Sequence, residues 1–142
     1  MRKQTRRTVR QLRIPITKGL HDQFAQEMHF SLMKANLGHF STVEFDKIGR
    51  CFNTIYGALD LKPPKDKSLL VAIEGAMRAM NECAARGDTS GIWTLRITEL
   101  AAVRAGVKKA EEALALLDVT TVYQAMKLLD AERAAETERK VA

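Results

Sequence analysis

Residues 41–64 read STVEFDKIGRCFNTIYGALDLKPP, and this stretch decides the fold class. Ser41-Thr42-Val43-Glu44 is a capping box, in which the serine hydroxyl can accept from the backbone at Glu44 while the glutamate reaches back to the N–H of Ser41. Phe45, Ile48, Phe52, Ile55 and Leu59 then recur every three or four positions, the spacing of one helix face. The helix has to finish before Pro63-Pro64, because the two prolines remove two donors and restrict the residue before them.

Working outward, the same period continues on both sides. Upstream, Leu20, Phe24, Met28, Leu32 and Ala35 predict a helix through residue 36, closed by Asn36-Leu37-Gly38, with Pro15 stopping any regular structure begun earlier. Downstream, Asp66 or Ser68 can cap a third helix whose inner face is Leu69, Ile73, Met77 or Ala76, Met80 and Cys83, ending at Arg86-Gly87. Its Ala72, Gly75, Ala76 and Ala79 are small enough for a neighbouring helix to approach closely. Thr89 or Ser90 opens a longer helical stretch to about Asp118, with Trp93 just inside its start. Gly106 is the weak point of that stretch, since an interior glycine costs about 1 kcal/mol against alanine, and it predicts a kink or break. A last helix from Thr120 carries Val122, Met126 and Leu129, and Glu132 to Ala142 is polar enough to fray.

Val103, Val107, Ala110, Leu114 and Leu117 repeat at the a/d spacing of a helix seam for two heptads. The seam reads as a hairpin with the last helix, the alternative being a homodimer through the same face. No segment alternates with period two. The expectation is an all-α protein: a single compact bundle of four to five helices over residues 19–131, a disordered basic N-terminal arm over 1–18, and a frayed polar tail over 132–142.

The formal charge of +6 is not spread evenly. Arg2, Lys3, Arg6, Arg7, Arg10, Arg13 and Lys18 lie in the first 18 residues with no acid among them, while the other 16 basic and 17 acidic residues leave the body close to neutral. A helix over residues 1–14 would align Arg2, Arg6, Arg10 and Arg13 on one face. Guanidinium groups suit phosphate because each presents a planar, weakly hydrated fork of donors. The arm holds too few apolar groups to offset its ordering entropy alone, so it would order on its partner. It carries no aromatic residue, so base stacking would have to come from the body.

Other chemistries find little footing. Cys51 and Cys83 stand singly in apolar helical patterns, with no CxxC pair, and read as free buried thiols of a reducing compartment. His21 and His29 are eight apart, too far along a helix to grip one ion, and His39 with Cys51 would supply only two ligands. Glu111 and Glu112 are adjacent and point apart. No phosphate loop, nucleophile elbow or dinucleotide fingerprint is present. No enzyme activity, metal or cofactor is expected. The basic start lacks the apolar stretch of a signal peptide, and the longest apolar runs, Leu69 to Ile73 and Ala113 to Leu117, fall far short of the roughly 20 residues that cross a bilayer. A cytoplasmic place in a bacterial host cell, with no membrane contact, is the expectation.

The opening Met1-Arg2-Lys3-Gln4-Thr5-Arg6-Arg7, the Pro15-Ile16 that closes the arm, the helix start Thr42-Val43-Glu44-Phe45-Asp46 and Asn53 resemble small uncharacterised helical proteins of proteobacterial prophages and mobile elements. The resemblance covers the first 60 residues best and the remainder as helical pattern, and Phe45 stands where that group usually has tryptophan. It implies a phage or mobile-element setting and carries over no catalytic residue. The expected function is a non-catalytic accessory protein whose basic arm contacts nucleic-acid phosphates. The alternative is a protein-binding inhibitor or modulator of a host defence system or host enzyme, of the anti-CRISPR kind, with the arm on an acidic or nucleic-acid-binding surface.

Overall fold

Every helix begins where a polar side chain meets one of its free N–H groups. The computed structural model describes residues 14–141, and the five helices in it are α1 (Lys18–Asn36), α2 (Thr42–Leu61), α3 (Ser68–Ser90), α4 (Ile97–Leu114) and α5 (Val119–Val141). Thr17 Oγ1 accepts from Leu20 N–H at 3.2 Å, and Asp66 Oδ1 from Ser68 N–H at 2.9 Å. Ser41 Oγ accepts from Val43 N–H at 3.3 Å while Glu44 accepts from Ser41 N–H at 2.9 Å, completing the capping box. Glu99 accepts from Arg96 N–H at 2.8 Å, and Asp118 from Thr121 N–H at 2.7 Å. No strand occurs among the described residues; Pro15 and Asp118 form one isolated bridge.

Neighbouring helices run antiparallel, as the pairs between them require, except α2 and α4, which touch and run parallel because both oppose α1. Along α1 and α2, Glu27 meets Cys51 and Lys34 meets Glu44; along α3 and α4, Ala76 faces Gly106 and Arg86 meets Glu99. His29 with Glu111 and Asn36 with Arg104 set α1 against α4, and Gly57 with Ala125 and Lys62 with Asp118 set α2 against α5. Helix α2 touches all four others, which accounts for its wide buried arc of Ile48, Cys51, Phe52, Ile55, Ala58 and Leu59.

Four sequence expectations change at the bounds of α3 and α4. Helix α3 does not stop at Arg86-Gly87 but continues to Ser90, and the left-handed residue that ends it is Gly91, at φ 75°. Thr89 and Ser90 donate back to carbonyls of the preceding turn, so they belong to the end of α3 and open nothing. Trp93 consequently lies in the 92–96 connection, half-buried, with its ring on Gly87 and edge-on to Phe45 at a centroid distance of 5.2 Å. Helix α4 begins only at Ile97 and ends at Leu114, and Asp118 starts α5 instead of ending α4.

Gly106 neither kinks nor breaks α4. A Cβ at this position would lie 2.3 Å from Ala76 Cβ and 3.3 Å from the carbonyl oxygen of Ala72, so the missing side chain is what lets α4 close on the small face of α3. The α3–α4 pair is the most extensive in the bundle. The seam of Val103, Val107, Ala110, Leu114 and Leu117 is buried inside the chain. Helix α4 packs on α3, α1 and α2 and makes no packing contact with α5, so the seam forms no hairpin with the last helix and is itself covered within the chain. On α5 itself Thr121, Val122 and Ala125 are buried, but Met126, assigned to the inner face by period, is 37% exposed and Leu129 is half-buried. The stretch from Glu132, expected to fray, continues as helix to Val141 with its side chains almost all exposed.

Two substitutions test this packing. Gly106→Ala should destabilise the protein by about 1–3 kcal/mol in urea denaturation, because overpacking against a methyl and a backbone carbonyl outweighs the gain of about 1 kcal/mol in helix propensity. Adding Ala76→Gly should recover part of the loss, and failure to recover any would argue against this contact. Ser31 is fully buried and its hydroxyl has no partner among the described residues; Ser31→Ala should raise stability by about 1 kcal/mol, since it removes an unsatisfied polar group.

Candidate functional site

Antiparallel packing brings the starts of α1, α3 and α5 and the ends of α2 and α4 to one end of the bundle, and the arm joins there. The carbonyl of Ile14 accepts from Val119 N–H at 3.0 Å, and Pro15 bridges Asp118. Proline suits this place because it has no N–H of its own to satisfy. The last residues of the arm are thereby held to the first turn of α5.

Asp118 is the knot of this end. It is buried, accepts from both the N–H and the hydroxyl of Thr121, and receives Lys62 Nζ at 2.6 Å from the end of α2. The Lys62 ammonium, helped by the Thr121 donors, holds the carboxyl down at about 2 against the desolvation that raises it. The Asp118 side chain thus fastens α2 to α5, and the backbone at the same residue meets the root of the arm.

Of the seven basic candidates, Arg2, Lys3, Arg6, Arg7, Arg10 and Arg13 lie outside the described residues. Lys18, assigned to the arm, is the exposed first residue of α1. The first turn of α1 contains no acid, so a cation stands where the helix dipole disfavours one, and the cap is the neutral Thr17. The Lys62-Pro63-Pro64-Lys65-Asp66-Lys67 connection adds exposed Lys65 and Lys67 at this end. Of the acids at this end, Asp66 and Asp118 are engaged in starting α3 and α5, and Asp60 in the last turn of α2 is exposed. The sequence pattern did not show this convergence, because lysines on separate segments meet only through the antiparallel register.

Beside the arm's root a cavity of about 260 Å³ opens between α1, α2 and α5. Tyr123 and Met126 of α5 form one wall and Leu20, Phe24 and Glu27 of α1 another, with Arg50, Cys51 and Thr54 of α2 behind them. Tyr123 is one helical turn beyond Val119 and 54% exposed. Cys51 Sγ donates to Glu27 at 3.4 Å, and burial together with that carboxylate pushes the thiol up to about 12. A thiol so held is protonated at neutral pH and does not act as a nucleophile.

The remaining chemical candidates do not assemble. His39 is exposed in the α1–α2 connection, His29 pairs with Glu111 across to α4, and His21 Nδ1 lies 3.5 Å from Asp22. Cys51 turns to Glu27, not to His39, and Cys83 donates to the carbonyl of Trp93 at 3.3 Å. Among the described residues no three potential ligands cluster as a metal would need, and no helix is long and apolar enough to cross a membrane. The chain matches no family model, no curated protein and no solved structure.

Asp118 and Glu44 both have folded-state pKa values lowered to about 2, Asp118 chiefly by Lys62 and Glu44 chiefly by the Ser41 hydroxyl. The stability they contribute is complete above the unfolded carboxylate range near pH 4 and is lost as pH falls from about 4 toward 2. Asp118→Asn keeps a capping residue but removes the ion pair with Lys62, and should cost about 1–2 kcal/mol at pH 7, little for a charged bond because Lys62 is partly exposed. Urea denaturation at pH 7 and pH 2.5 should show the gap between wild type and variant narrowing at the lower pH; a gap independent of pH would exclude the pair as its source.

Proposed function

We propose that the chain is a non-catalytic accessory protein that binds nucleic acid, with Arg2, Lys3, Arg6, Arg7, Arg10, Arg13 and Lys18 contacting phosphates. The observation that carries the reading is charge segregation: seven cations and no acid in 18 residues, beside a body close to neutral. Such an imbalance contributes nothing to a hydrophobic core but concentrates a field that attracts a polyanion. Support comes from the root of this segment, since Ile14 and Pro15 are bonded to the start of α5 and Lys18, Lys65 and Lys67 stand at the same end. Phosphate contacts made there orient the bound strand relative to the helical body rather than leaving it on a free tether. The resemblance to prophage and mobile-element proteins supports a bacterial, cytoplasmic setting for this role.

Fluorescence anisotropy with labelled oligonucleotides at several salt concentrations checks it. If about five arm charges engage phosphates, the log–log slope of affinity against salt should be near −4.5 on duplex DNA and near −3.5 on a single strand. Removing residues 2–13 should flatten either slope and weaken binding at low salt by several orders of magnitude. No binding by the full chain at low salt would overturn the reading and favour a host protein, with the arm on an acidic surface, as the partner.

A further inference from the structure

The cavity between α1, α2 and α5 is walled mainly by apolar groups, with a few polar ones converging on it, the usual composition of a ligand site. At about 260 Å³ it is smaller than the cleft of roughly 300–1,000 Å³ that takes a drug-sized molecule, and its scale is that of one flat heterocycle. Tyr123 lines it and is more than half exposed, while Val122 and Ala125 form the buried face of the same helix. Met126 beside it is likewise partly open. An aromatic ring that lines such a cavity and is open to solvent can serve as a stacking platform.

The polar groups narrow the choice of ligand. Glu27 is a carboxylate in the wall, and it disfavours a phosphate inside the cavity while it can accept from an exocyclic amino group. Gln23 and Thr54 offer a further amide and hydroxyl, and the exposed Arg50 guanidinium is free to stack on a base or meet a neighbouring phosphate. The location supplies the rest. Tyr123 is one turn from Val119, which holds Ile14, and Leu20 is two residues into α1 from Lys18, so the cavity lies close to the place where the arm joins the body. The arm itself contains no aromatic residue.

We infer that this cavity receives an unpaired nucleobase, stacked on Tyr123 and held at its edge by Glu27 and Gln23, and that the nucleic acid bound is therefore single-stranded. The inference rests on the arm's role as a phosphate contact and adds to it the choice of strand. In a duplex each base is stacked and paired, and extruding one costs energy that a single strand does not have to supply.

The test compares the full chain with Tyr123→Ala, Tyr123→Phe, Arg50→Gln and a chain lacking residues 2–13. Each is titrated by anisotropy against single-stranded DNA, single-stranded RNA and a duplex of the same length, and by NMR against a nucleoside monophosphate. Thermal melts followed by circular dichroism establish that the variants fold; Tyr123 and Arg50 are both exposed, so their replacement leaves the core intact. The expected result is a preference of the full chain for a single strand. Tyr123→Ala should weaken single-strand binding about 5- to 150-fold with duplex binding unchanged, Tyr123→Phe should stay within a few-fold of wild type, and Arg50→Gln should fall between. If removing the arm abolishes binding but Tyr123→Ala changes nothing, the cavity proposal is overturned and the arm's role stands. If Tyr123→Ala weakens binding and removing the arm does not, the arm's role fails instead. A duplex preference, or a mononucleotide bound as tightly as the strand, would overturn the proposal as well.

Discussion

The approach of Gly106 to Ala76 is the contact on which the arrangement of the other helices depends. With no Cβ on one side and a single methyl on the other, α4 settles against α3 along the most extensive pairing in the bundle. Once there, its apolar seam is enclosed by α3, α1 and α2 and none of it is left for α5. Helix α5 must then lean on α2 alone, through Val122 and Ala125 and the small Gly57 opposite. Leaning on one neighbour, it leaves Tyr123 and Met126 at the edge of a cavity instead of in the core. The close approach of two helices thus sets the space beside a third.

Electrostatics divides the molecule in a matching way. At the end where α2 and α4 begin, Glu44 and Glu99 are buried, cap their own helices and are met by Lys34 and Arg86. At the opposite end Asp118 and Asp66 start α5 and α3, and Asp118 takes up Lys62, so two of the acids there are engaged in helix starts, while Asp60 in the last turn of α2 is exposed. Phosphate contact at this end would therefore add to the helix caps without competing for their partners. The root of the arm shares Asp118 with the ends of two helices, which ties the position of the basic segment to the integrity of the bundle.

Much of the helical pattern was legible from local chemistry. The capping box at Ser41, the stop at Pro63-Pro64 and the inner faces of α1, α2 and α3 appear as read, because each depends on residues within one or two turns. The boundary between α3 and α4 was not legible. Composition pointed to Gly87 as the stop, but the helix runs on to Gly91, with the Trp93 ring covering Gly87 and Arg86 reaching forward to Glu99. Both contacts are with residues beyond the helix. Gly106 was misjudged for the same reason: propensity counts the cost of a glycine along its own helix, and the compensating gain lies on a different one.

The sequence by itself determined that the chain is helical, where three of its helices lie, and that its positive charge is gathered into one short segment, since periodicity, caps and charge are properties of neighbours along the chain. The tertiary structure alone decided which glycine ends α3, which helices cover the α4 seam, and which end of the bundle holds the arm. It also brought Tyr123, Glu27 and Arg50 around one cavity from three separate helices. The physical reason is that these outcomes depend on how closely two surfaces distant in sequence can approach, and that distance is set by the volume of side chains on both at once.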